Sequence, residues 1–142
     1  MAVPPRDAKG RVVPHDDPDI GDDDGLLRRI DPDYHVVEDK NLGCHRLSSM
    51  AFSETSVPNG GMSIDLEQLM QADGHDPLDG LDEGWGLVRL IAGQLRQQNC
   101  LVGSDPLPTN PYHGEVWNPN GRGGKIKVQD NYTWVKKAAL IP

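Results

Sequence analysis

Between Leu26 and Leu140 the apolar positions fall into short runs separated by turn residues. Leu26, Leu27 and Ile30 form the first cluster, stopped at Asp31-Pro32 because a residue before proline avoids the α region. Tyr34–Glu38 (YHVVE) predicts a short strand, Asn41-Leu42-Gly43 a turn, and His45–Phe52 a second strand. VPNGG at 57–61 is a strong turn signal, since Asn-Gly readily supplies positive φ. Ser63–Met70 has the marks of a helix start: Ser63 suits a cap, Asp65 and Glu67 suit the positive end of the dipole, and Leu66, Leu69 and Met70 share one face. Gly74 fits the left-handed residue that closes such a helix.

Leu87–Ala92 (LVRLIA) predicts a strand covered on both faces, with Arg89 the exception. Residues 93–99 suit one or two helical turns, and a further strand begins at Leu101-Val102 and stops at Asp105-Pro106. Tyr112–Trp117 resumes as a strand, and KIKV at 125–128 alternates as a half-exposed one. The segment 131–140 places Tyr132, Val135 and Ala139 on one helical face behind a capping Asp130; helix is the expectation there, and a strand fits the same residues. The fold class expected is α+β: a small, mainly antiparallel sheet with two or three short helices, rich in loops.

Charge divides the chain. Of 142 residues, 14 are Lys or Arg and 22 are Asp or Glu, a net charge of −8. Residues 1–25 hold seven of the Asp, three basic residues and four prolines (Pro4, Pro5, Pro14, Pro18), so half the net charge sits in under a fifth of the length. That composition predicts a disordered or loosely attached acidic arm over 1–25, leaving 26–142 as a single domain. A calcium loop in DDPDIGDDDG is excluded by spacing, because the twelfth position from Asp17 is Arg28, where an EF-hand needs a bidentate Glu. The acidic balance disfavours nucleic acid and anionic lipid as partners. No apolar run approaches a membrane span, and the N-terminus has no signal-peptide core, so a cytoplasmic location is expected. Cys44 and Cys100 give no CxxC, and reduced thiols are the default.

Few positions have the chemistry of a site. Asn110-Pro111-Tyr112-His113-Gly114-Glu115 delivers a His from a rigid turn onto a strand, and His113 and Glu115 share a face about 7 Å apart. Such a pair suits proton transfer, and equally the solvated face of an edge strand. His45-Arg46-Leu47-Ser48-Ser49 sets Ser beside His without the GxSxG of a nucleophile elbow. Arg29 and Arg46 are candidate anion-binding residues, although Arg29 has acidic neighbours to pair with. His15, Cys44, His45, His75, Cys100 and His113 are too scattered for zinc, and no metal or cofactor is expected. GRGGK at 121–125 lacks the P-loop pattern, since Ile126 follows the lysine. Trp85, between two glycines, anchors a loop in the core or stands out as a binding knob.

No stretch carries enough motif residues to assign a known family. The first functional expectation is a small accessory or protein-binding domain, with Asp22, Asp23 and Asp24 engaging a basic partner surface and Trp85 adding apolar contact; homo-oligomerisation stays open. The alternative is a small transferase or hydrolase acting on a phosphate-bearing or nucleotide-like substrate. In it Arg29 and Arg46 hold the anion, His113 and Glu115 move protons, and Ser49 positions a hydroxyl. Whether the chain is an enzyme is left undecided by the residues alone.

Overall fold

Period-two alternation marks the segments able to form strands, and pairing between distant segments decides which of them do. The computed structural model describes residues 3–119, 125–128 and 130–142. Among them are strands β1 (Gly25–Ile30), β2 (Val36–Asp39), β3 (Cys44–Leu47), β4 (Met62–Leu66), β5 (Gly86–Ile91), β6 (Leu101–Ser104), β7 (His113–Trp117) and β8 (Thr133–Lys136). Two short α-helices, α1 (Glu67–Asp73) and α2 (Ala92–Arg96), and a 3-10 turn at Ser49–Phe52 join them. Six strands form one antiparallel sheet in the order β6-β7-β4-β1-β5-β8, while β2 and β3 make a separate hairpin. The expected small, mainly antiparallel sheet is present, with strand outweighing helix. No helix among the described residues is long and apolar enough to cross a membrane.

One sheet face makes the main core. Leu26 and Ile30 of β1, Met62, Ile64 and Leu66 of β4, Val88 and Leu90 of β5, Val102 of β6 and Val116 of β7 are all buried there. Ala92 and Leu95 of α2 and Phe52 of the 3-10 turn close over them. The opposite face is mixed. Leu27 and Leu87 form a small cluster with Met70 of α1, and polar side chains occupy the rest.

The sheet is joined weakly at its middle. Strand β1 pairs with β5 through six residue pairs, and β4 with β7 through four. Between β1 and β4 only Leu26–Leu66 and Leu27–Asp65 are paired. Beyond them, the Arg28 guanidinium takes the place of the missing ladder bonds. Its Nη1 donates to Ser63 O at 2.9 Å, and its Nε donates to Ala51 O at 2.9 Å. Where the strands part, a cleft opens.

Four local expectations differ from the structure. Ser63 lies inside β4, and α1 begins at Glu67, because Met62, Ile64 and Leu66 bury one strand face against the core. Burial of a whole strand face outweighs one cap and a first-turn dipole. The C-terminus of α1 is as expected, with Gly74 left-handed at φ 64° and its N–H returned to the last turn. The strand expected over 45–52 ends at Leu47; Ser48 then accepts from Met50 N and turns the chain into the 3-10 segment that buries Ala51 and Phe52. Segment 131–140 is strand at Thr133–Lys136, since β5 offers it an open edge. Of KIKV, Lys125 makes an isolated bridge to Ser53, while Ile126 and Val128 are buried. The glycine-rich residues 120–124 lie outside the described residues. Arg89, the exception in β5, is bound side-on by Glu67, with Nε and Nη2 donating to the two carboxylate oxygens at 2.8 and 2.6 Å.

The acidic leader, assigned by composition to a loose arm, packs against the body. Ile20 belongs to the main core, and Val12 and Asp17 are buried. Arg96 of α2 gathers the segment: it pairs with Asp16 at 3.0 Å and Asp22 at 2.9 Å, and donates to Ile20 O and Asp17 O. Gly103 leaves room for His15, because a Cβ there would lie 2.5 Å from His15 Nε2. Replacing Arg96 by Met should remove about 1–3 kcal/mol of stability and speed amide exchange over 16–22. Unchanged exchange there would mean the guanidinium does not hold the leader.

Candidate active site

Strand alternation places four polar residues on the mixed face of two neighbouring strands. Ser63 of β4 pairs across from Glu115 of β7, and Asp65 from His113. The loop from β6 to β7 adds Asp105, whose N–H donates to His113 O at 3.0 Å; Leu107 and Asn110 tighten that loop through reciprocal backbone bonds. Asp105 and His113 therefore face one another across a fixed hairpin base.

The His113 ring is held at both nitrogens. Nδ1 lies 2.8 Å from Asp105 O and 3.6 Å from Asp105 Oδ2. Both neighbours are acceptors, so Nδ1 carries the proton and Nε2 is left basic. Ser63 Oγ lies 3.2 Å from Nε2 and donates to it. A hydroxyl and an imidazole thus run in series with a backbone carbonyl that orients the ring, and the Asp105 carboxylate lies close by at 3.6 Å; a serine hydroxyl bonded to such an imidazole is the pair from which a nucleophile is activated.

The series opens on the cleft between β1 and β4, a cavity of about 340 Å3 lined by Leu27, Arg28, Arg29, His35, Ser63, Asp65, Trp85, Asn110 and His113, among others. Asp65 is buried and accepts from Asn110 Nδ2 at 2.7 Å, with Arg29 3.9 Å away on its other oxygen. Arg29 is the exposed partner of that loose pair. At the far side, His35 accepts from Asp31 N through Nδ1. Burial first, and then the Arg28 charge, hold its pKa below the ordinary value, so its ring is neutral near pH 7.

Behind His113, Glu115 lies against Asp105 and accepts from Gly61 N at 3.1 Å. Burial is the main cause that raises its pKa, the Asp105 carboxyl adds to it, and the value reaches about 7. A group whose folded pKa exceeds its ordinary 4.5 stabilises the fold fully below that value and loses the contribution as pH rises through about 7. The wild-type melting temperature should therefore fall from about pH 5 to about pH 8, by an amount reflecting on the order of 2 kcal/mol. Glu115→Gln should flatten that slope; identical slopes in melting curves would show that Glu115 does not carry it.

The sequence candidates separate on this map. His113 and Arg29 line the cleft, and Glu115 supports Asp105 from behind instead of reaching the cavity. Arg46 is on the outer hairpin, paired with Asp39 at 2.8 Å, and Ser49 is exposed on the 3-10 turn; neither lines the cavity. Trp85 is half-buried and lines the cleft wall. Of the three leader aspartates, Asp22 is engaged by Arg96 and Asp24 accepts from Gly21 N, while Asp23 is exposed. Ser63 and Asp105 join the site without being candidates on sequence grounds. The signal for Ser63 was present in Met62-Ser63-Ile64-Asp65-Leu66, a clean two-residue alternation hidden under helix-start residues. Among the described residues no three His, Cys, Asp or Glu side chains are arranged as a metal-binding group. Compared with protein-family models, with curated proteins and with solved structures, the chain matches none.

Proposed function

We propose that the protein is a small hydrolase that cleaves an ester through Ser63. Ser63 Oγ attacks the carbonyl carbon while His113 Nε2 takes its proton. The proton then passes from His113 to the leaving alcohol, giving an acyl-Ser63 intermediate. Water, activated by the same imidazole, releases the acid and restores the serine. Asp105 keeps the ring in the tautomer with Nε2 free and balances the imidazolium that forms. The buried Glu115 carboxyl lies against the half-buried Asp105 and supports that acidic partner from behind.

The reading is carried by one observation: the bonded series Ser63–His113–Asp105 opens on a cleft that also holds two arginines. It is tested by incubating purified protein with p-nitrophenyl esters of short acids and following nitrophenolate release. The expected outcome is turnover above the buffer rate that saturates with substrate. Release at the buffer rate for every ester would contradict it.

A further inference from the structure

We infer that the inner end of the cleft is an anion seat built around Arg28, and that the ester cleaved at Ser63 carries a phosphate or carboxylate group; the second half rests on the proposed reaction. Arg28 starts from β1 on the core side of the sheet and is more than half withdrawn from water, yet among the described residues its polar partners are two carbonyl oxygens, Ala51 O and Ser63 O. No carboxylate among those residues forms an ion pair with it. A guanidinium has five N–H donors in a rigid fork. Two are occupied, and the rest are available at a residue that lines the cavity.

A desolvated cation without a counter-charge is unfavourable, and burial lowers the pKa of Arg28 accordingly. An oxyanion entering the cleft supplies the missing charge and accepts the spare donors. Arg29 opens the same cleft nearer to solvent, where its pair with Asp65 is long enough, at 3.9 Å, to yield to a ligand. Arg28 also bonds the backbone carbonyl of Ser63, and both residues line the same cleft. Arg29 and Asn110 line a second cavity together with His75 and Tyr112, whose rings are in contact with centroids 5.0 Å apart and planes tilted by 39°. The two cavities share Arg29 and Asn110, so a substrate longer than the cleft has a neighbouring hollow to extend into.

The seat is tested without turnover, by titrating inorganic phosphate and, separately, acetate into wild-type protein and into Ser63→Ala at constant ionic strength, with chloride as control. Backbone amide NMR is the readout. Saturable shifts confined to residues 27–29 and 63–65 in both proteins, absent in Arg28→Met, are expected; the acid that produces them at lower concentration identifies the group. Shifts that do not saturate, or that lie elsewhere, overturn the seat whether or not Arg28→Met folds, because the wild-type titration needs no variant. The second half is read from kcat/KM: an ester bearing the preferred anion should exceed its neutral isostere by at least about tenfold. Phosphate or acetate binding without any ester turnover leaves the seat and removes the Ser63 reaction. Turnover with no preference for the charged ester removes the seat as a substrate site.

Discussion

Ser63→Ala should leave a folded protein whose kcat/KM for its best ester is lower by at least about 10^3-fold. The hydroxyl is the only atom lost. It sits in a strand whose partners Met62 and Ile64 fill the core on the other face, so melting temperature should change little. His113→Ala should cost a similar factor, because an unactivated serine is a poor nucleophile at neutral pH. The double variant should be no slower than either single one, since the two residues act on one step. Losses that simply multiply in the double variant would mean that hydroxyl and imidazole contribute separately, against the bonded series.

The second large effect concerns the joint of the sheet. Leu26 is fully buried and pairs with Leu66 of β4 on one side and Leu90 of β5 on the other. It is one of the two residues of β1 paired in register with β4. Leu26→Ala should destabilise the fold by about 3–5 kcal/mol, a large share of the roughly 5–15 kcal/mol that a domain has. The melting temperature should fall by on the order of 10–15 °C. Leu42→Ala, on an exposed turn, is the control and should change stability by less than about 0.5 kcal/mol. Urea unfolding curves check both, and a Leu26→Ala midpoint close to that of Leu42→Ala would contradict the view that this joint organises the sheet.

What the residues disclosed in advance, and what they hid, has a common cause. Strands whose pattern is local were legible: LVRLIA and YHGEVW read as strands, and β5 and β7 occupy most of those spans. The placement of His113 and Glu115 on one sheet face follows from spacing alone. Ser, Asp and Glu in that order suit a helix start; burial of Met62, Ile64 and Leu66 and pairing with β7, fifty residues away, make Ser63 a strand residue. Ser49 and Arg46 have the residue types of a site, and nothing in their neighbourhood shows that the hairpin β2–β3 stands apart from the main sheet.

The leader shows the same limit in its electrostatics. Seven aspartates suggest a solvated tail when counted by segment. The charge that pairs with two of them, Asp16 and Asp22, is Arg96, seventy to eighty positions away, and Ile20 alone among acidic neighbours gives no periodic signal of burial. Composition reports the sum of charges, whereas docking depends on which charges meet.

The central claim is that Ser63 is an activated nucleophile. It is tested most directly by treating the protein with a fluorophosphonate, which reacts with such serines, and reading intact mass and peptide masses. One adduct per chain at Ser63 is predicted, lost in Ser63→Ala and strongly slowed in His113→Ala. No adduct, or an adduct that forms equally fast without His113, would leave the two residues as a hydrogen-bonded pair in the sheet and nothing more.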